Sequence, residues 1–155
     1  MKILVVSDTH RTMRYMQEAV ENEKPDHVIH LGDHTHDADE LRQLYPMLPV
    51  LSVRGNCDYD MTARELAVVE LSGFRFFLTH GHRYGVKRGL LSFELAAREA
   101  MADVALFGHT HLAVCDQYNG LWLMNPGSCG HSSKPSYGIV EIKNGSLRCR
   151  LEYFD

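Results

Sequence analysis

Two aspartates, four histidines and one asparagine stand in five short clusters: Asp8-Thr9-His10, Gly32-Asp33, Gly55-Asn56, Thr79-His80 and Gly108-His109-Thr110-His111. Seven oxygen and nitrogen donors are more than a single ion usually takes from protein. Carboxylate, amide and imidazole without thiolate favour Mn, Fe, Zn, Ni or Co over calcium, and do not choose among them. Asp8 and His10 are two apart, as are His109 and His111, so in a loop leaving a strand both members of a pair can turn toward one ion. Asp33 stands alone after a glycine, which suits a carboxylate bridging two cations, one oxygen to each. Asn56 offers an amide oxygen and His80 an imidazole. Two ions roughly 3.5–4 Å apart can clamp the oxygens of a phosphate and lower the pKa of a bridging water from about 15.7 toward about 7. That hydroxide is a nucleophile needing neither Ser nor Cys, and the pattern predicts a two-metal hydrolase.

Donors dispersed over a hundred residues converge only if the fold gathers them. Each cluster directly follows a short apolar run that reads as a strand: Ile3 to Val6, Val28 to Leu31, Val50 to Val53, Phe74 to Leu78 and Val104 to Phe107. In an open α/β sheet the carboxyl ends of the strands face one crevice. Thr12 can cap a helix with apolar Met13, Met16, Ala19 and Val20, stopped by Lys24-Pro25-Asp26. A second helix is expected from about Asp37 to Leu44, ended by Pro46 and Pro49. Strand, helix, strand, helix, strand predicts a parallel sheet with the ligand loops at its carboxyl edge. From Leu66 the pattern changes: Leu66 to Leu71 and Phe74 to Leu78 flank Ser72-Gly73, a hairpin turn that begins a second sheet. An amphipathic helix spans Gly89 to Met101, and the tail alternates strands Val114 to Gln117, Leu121 to Met124, Tyr137 to Ile142 and Leu147 to Tyr153 with turns. The glycines before Asp33, Asn56 and His109, and Gly127, are expected to allow unusual backbone geometry and close approach.

With 155 residues and 45% hydrophobic content, the chain fits one domain, residues 1–155. A net charge of −4 argues against a standing affinity for nucleic acid, which needs clustered Lys and Arg, and no extended basic surface is evident. The start Met1 to Val6 is too short for a signal-peptide apolar region, and no membrane-spanning run exists, so a cytoplasmic chain is expected. Cys57, Cys115, Cys129 and Cys149 show no CxxC spacing; all but Cys57 are read as small buried or half-buried residues.

Asp8-x-His10, Gly32-Asp33, Gly55-Asn56, His80 and Gly108-His109-x-His111 resemble the five-part signature of the calcineurin-like metallophosphoesterases, in particular their small prokaryotic phosphodiesterases. The resemblance covers nearly the whole chain, including Thr79-His80-Gly81-His82 and Asn125-Pro126-Gly127-Ser128. It implies an α/β fold, a four-layer αββα sandwich of two mixed sheets flanked by helices. It further implies that Asp8, His10 and His111 hold one ion, that Asn56, His80 and His109 hold the other, and that Asp33 bridges them. Two divalent ions are expected, Mn first, with Ni, Fe and Zn as alternatives. In the wider superfamily the asparagine is commonly followed by a histidine that assists the leaving group, with an acidic residue behind it; here the run is Asn56-Cys57-Asp58, a replacement the small phosphodiesterases share. Cys57 therefore stands at the usual general-acid position, and slow turnover with poor leaving groups is expected.

The leading function is a phosphodiesterase that cleaves small phosphodiesters with a hydroxide bridging two metal ions. One alternative is a non-catalytic protein-binding scaffold resembling the retromer scaffold subunit, which has lost the asparagine and histidine of the third motif, whereas Asn56 remains here. Another is a nuclease, which would need a basic track that this chain lacks. His82, His34, His36 and His131 are read chiefly as loop residues, with contact to substrate or ions as the sharper alternative; His27 and His30 as satisfied strand histidines; Trp122 as core. Arg11 and Arg54 stand beside ligand motifs, either paired with carboxylates or holding a phosphate oxygen. Leu151, Tyr153 and Phe154 make a homodimer an expectation.

Overall fold

The computed structural model describes residues 1–155. Its first sheet contains β1 (Lys2–Val6), β2 (His27–His30), β3 (Val50–Ser52), β9 (Ser136–Lys143) and β10 (Ser146–Tyr153), in the order β10-β9-β1-β2-β3. The second contains β4 (Leu66–Leu71), β5 (Phe74–Thr79), β6 (Val104–Leu106), β7 (Val114–Tyr118) and β8 (Leu121–Asn125), in the order β4-β5-β6-β8-β7. Helices α1 (Met13–Glu23), α2 (Thr35–Leu44) and α3 (Leu91–Glu99) complete the chain, with a short 3-10 turn at His82–Tyr84. β1, β2 and β3 run parallel, as do β5, β6 and β8, while β9, β10, β4 and β7 pair antiparallel, so both sheets are mixed.

Strand alternation explains the layering, because successive side chains of a strand point to opposite faces. Ile3 and Val5 of β1, Phe76 and Leu78 of β5, and Val104 and Leu106 of β6 join one buried cluster between the sheets. The intervening Leu4 and Val6 pack with Met16, Ala19 and Val20 of α1 and Leu41 of α2. On the other side Phe77, Ala105 and Phe107 pack with Phe93 and Ala97 of α3. The result is the αββα sandwich. Each fully buried Val, Leu, Ile, Phe or Met among them contributes roughly 1.5–3 kcal/mol, so the sheets are brought together by apolar burial before any site chemistry is considered. No helix is long and apolar enough to cross a membrane.

Several local expectations are corrected. Thr12 occupies the residue before α1 with extended backbone, but its side chain makes no capping hydrogen bond and its hydroxyl is buried without a partner. α2 begins at Thr35 rather than about Asp37, because a carboxylate from a distant loop caps it. α3 is shorter than Gly89 to Met101; Met101 lies at φ 54°, outside the helical range. Phe154, one of the apolar tail residues behind the homodimer expectation, stacks within the chain on Tyr15 and Tyr137 at 4.8 and 5.0 Å between ring centres, which removes part of the argument for a dimer. Ser72 and Gly73 both have positive φ, as a tight hairpin between β4 and β5 requires. Trp122 packs half-buried against the cluster between the sheets, as expected of core.

Candidate metal centre

The five clusters meet at one edge of the sandwich. Asp8 and His10 leave β1, Asp33 follows β2, Asn56 follows β3, His80 ends β5, and His109 and His111 follow β6. Asp8, His10, Asp33, His109 and His111 all lie at positive φ, between 46° and 68°. Left-handed backbone costs a non-glycine residue roughly 1–2 kcal/mol, so these turns persist only where other bonds hold them. The Asp8 N–H donates to the Gly32 carbonyl at 3.0 Å, and the Ser128 hydroxyl donates to the Asp8 carbonyl at 2.9 Å. Asn125 Nδ2 donates to the Gly108 carbonyl at 3.0 Å and to Thr110 Oγ1 at 2.9 Å. The Asn125-Pro126-Gly127-Ser128 stretch thus serves as a bracket for the ligand loops of β1 and β6.

The glycines act in two ways. Gly32 has φ 102°, so the expectation of special backbone geometry holds there. Gly55 and Gly108 do not; what they lack is room. A Cβ at Gly55 would lie 2.2 Å from Asp33 Oδ1, and one at Gly108 would lie 2.1 Å from Ser7 Oγ.

Two donor sets result. Asp8, His10, Asp33 and His111 bring ligand atoms within 4.8 Å of one another, and so do Asp33, His80 and His109. Asp33 belongs to both. His111 Nε2 is 3.1 Å and His80 Nε2 3.8 Å from Asp8 Oδ1, while His80 Nε2 is 3.4 Å and His10 Nε2 3.9 Å from Asp33 Oδ2. Asn56 is exposed beside them; its neighbour Cys57 donates a backbone N–H to Asp33 Oδ1 at 2.9 Å. His80 Nδ1 bonds to the Leu31 carbonyl at 2.8 Å, so Nδ1 carries the proton and Nε2 presents its lone pair to the centre.

The residues fit a pair of cations. Asp8 Oδ1 and His80 Nε2 are buried with no hydrogen-bond partner. An unpartnered buried polar atom costs roughly 1–3 kcal/mol, and two of them aimed at one space are explained by a ligand there. Electrostatics agree. In the metal-free protein burial acts to raise the Asp33 carboxyl, but the nearby His80 imidazole, which would carry a proton there in place of an ion, and the Cys57 N–H together hold it well below the usual carboxylate range. Burial, reinforced by His80 and Lys87, pushes His109 down to about 4, which leaves its imidazole neutral and able to ligate.

Over residues 1–145 the chain matches the family model of the calcineurin-like phosphoesterase superfamily domain. The chain belongs to this superfamily. It is 31% identical to the probable metallophosphoesterase YsnB of Bacillus subtilis, covering 97% of this chain and 90% of that one. It is 28% identical to the phosphodiesterase MJ0936 of Methanocaldococcus jannaschii, covering 96% and 97%. Among solved structures it is similar to a predicted phosphoesterase of Streptococcus pneumoniae, with TM-score 0.79, 27% identity and coverage of 98% and 88%. A single mutant of Vps29 from Entamoeba histolytica has TM-score 0.77 at 24% identity, covering 100% of both chains, and shows the shared fold alone. Divalent metal ions are a property of the metallophosphoesterase family, and the donor sets above are where this member would hold them.

Of the residues around the metallophosphoesterase centre, His34 lies against His10 with ring centres 5.0 Å apart, and His82 lies 5.5 Å from the His80 ring but outside both donor sets. Arg54 pairs with Glu65 at 2.6 Å, the carboxylate alternative. His36 and His131 are exposed; His30 is fully buried and bonded on both ring nitrogens. Burial, then the charge of Asp33, pushes the Cys57 thiol up, so at neutral pH it stays protonated and is no thiolate nucleophile.

Asp58 is the residue that sequence reasoning missed. Its Oδ2 accepts the N–H groups of Asp33 at 3.0 Å and Gly55 at 2.7 Å, and its Oδ1 those of His34 and Thr35 at 2.8 Å each. One carboxylate thereby caps α2 and ties the Asp33 loop to the Asn56 loop. Its favourable position at the positive end of a helix is a general one for carboxylates. The only signal was an acidic residue following the Gly55-Asn56 pair, because a cap supplied from 23 residues away has no local pattern.

Proposed function

We propose that this chain is a binuclear phosphodiesterase in which Asp33 bridges two divalent ions, one held by Asp8, His10 and His111 and the other by Asn56, His80 and His109. The observation that carries this reading is the membership of Asp33 in both donor sets. Two bound ions would polarise the phosphoryl oxygens and acidify a water placed between them. The chain's own part is to orient and to exclude. The Leu31 carbonyl holds the His80 ring in one tautomer, and the Cys57 N–H fixes one oxygen of Asp33.

A cleft of about 570 Å³ lies beside the centre, lined by Arg11, His34, His36, Asp39, Cys57 and Tyr59 among others. Its size suits a small ligand. Its carboxylates, Asp39, Glu40 and Asp60, oppose a long polyanion, which favours a small diester over a nucleic-acid strand. The chain is expected to act in the cytoplasm. The test is to strip the protein of metal, resupply Mn, and measure hydrolysis of a chromogenic phosphodiester and of the matching monoester. Diester cleavage that depends on added Mn supports the reading; absence of cleavage with Mn, Ni, Fe and Zn overturns it.

Cys57 provides a second measurement. A general acid is worth roughly 10²–10⁴ in rate, and its benefit grows as the leaving group becomes poorer. Cys57→His is therefore expected to accelerate an unactivated alkyl diester by up to about 10² while changing a nitrophenyl ester little. An equal response of both substrates would remove Cys57 from the leaving-group side.

A further inference from the structure

We propose that His30 and Thr9 are positioning residues that lock the Asp8–His10 loop to the Asp33 loop and thereby set the affinity of the ion held by Asp8, His10 and His111. The inference rests on the two-metal reading above. Neither residue touches the donor atoms, and both are fully buried.

The direction of each hydrogen bond follows from the partners. The Gly32 N–H donates to His30 Nδ1 at 3.1 Å, so Nδ1 is the bare nitrogen and the ring proton sits on Nε2. Nε2 lies 3.0 Å from Thr9 Oγ1 and donates to it. The Thr9 hydroxyl must then give its own proton onward, to Asp37 Oδ2 at 2.5 Å. The same carboxylate oxygen accepts the Arg11 N–H at 2.9 Å. The chain of bonds therefore starts beside Asp33, passes through the residue between Asp8 and His10, and closes on the residue after His10. Burial pushes His30 down to about 4, so its single ring proton stays where Gly32 places it.

This arrangement addresses a specific need. Asp8, His10 and Arg11 all hold left-handed backbone, at φ 54°, 46° and 66°, and Thr9 is the one residue of that stretch with ordinary φ. Pinning Thr9 fixes the direction in which the Asp8 and His10 side chains leave the loop. The network ends at the Gly32 N–H, whereas the Asp33 carboxylate shared by both ions is held separately, by the Cys57 N–H.

Manganese titration by calorimetry of the metal-free protein tests this. Thr9→Val, nearly isosteric but without donor or acceptor, is expected to weaken one of the two ions roughly ten- to hundredfold, the usual consequence of removing a residue that supports metal ligands, and to leave the other unchanged. His30→Phe is expected to reproduce that pattern, and Thr9→Ser, which keeps both hydrogen bonds, to titrate like the parent. Equal weakening of both ions, or Thr9→Ser behaving as Thr9→Val does, would mean a structural role only and overturn the proposal, as would parent-like titration of Thr9→Val. If Thr9→Val shows no cooperative melting, His30→Phe decides on the same criteria. A parent protein that binds fewer than two ions would instead refute the two-metal reading itself.

Discussion

Asp33→Ala is expected to abolish diester hydrolysis while the protein still folds. Loss of a residue that merely supports a metal ligand costs roughly ten- to hundredfold, so loss of the one carboxylate shared by both donor sets should exceed that, to about a thousandfold or more. The fold should survive because the apolar clusters on both faces of the two sheets do not involve Asp33. The metal-free variant is expected to melt somewhat lower than the parent, since the folded protein favours the ionised Asp33 carboxylate and the Cys57 N–H loses its acceptor, but it still melts cooperatively. Steady-state rates with Mn in excess, together with thermal melting without metal, check both halves. A variant that keeps a tenth of the parental rate would show that one ion suffices.

Asp58→Ala is expected to lose both stability and activity. Four backbone N–H groups lose their acceptor at once. Hydrogen bonds to a charged group are worth roughly 1.5–3 kcal/mol each. Asp58 is only half-buried, so water replaces part of the loss, and a net cost of about 2–4 kcal/mol follows. In a chain of this size that lowers the melting temperature by roughly 5–15 °C. Because the freed N–H groups include those of Asp33 and Gly55, the variant should also bind Mn more weakly than the parent. Asp58→Asn keeps one acceptor oxygen and should fall between. Unchanged melting with Asp58→Ala would mean that water or Thr35 serves the α2 terminus equally well.

Much of this was legible because the chemistry is local to strand ends. An apolar run followed by a donor reads from the chain alone, and the structure gathers Asp8, His10, Asp33, His80, His109 and His111 as that pattern requires. The Ser72-Gly73 hairpin likewise marked the start of a second sheet, while the four-layer sandwich was what the family resemblance implied. What escaped depends on contacts between distant segments. The start of α2 is set by Asp58, and the demand for glycine at Gly55 and Gly108 comes from Asp33 and Ser7, not from their own φ. Phe154 could be known as internal only once Tyr15 and Tyr137 were beside it. His30 read correctly as a satisfied core histidine, yet its partners Thr9 and Gly32 lie on two different loops.

The donors are divided between the two sheets: Asp8, His10, Asp33 and Asn56 come from loops of the first, His80, His109 and His111 from loops of the second. Neither sheet alone presents a full set, so an ion held by both is bound only by the closed sandwich, and its binding free energy becomes folding free energy. At a free ion concentration a hundredfold above the dissociation constant this amounts to about 2.7 kcal/mol. The ions would then serve as a latch across the seam between the layers, and a chain whose sheets have not docked would stay metal-poor and silent, so that catalytic competence itself certifies completed folding.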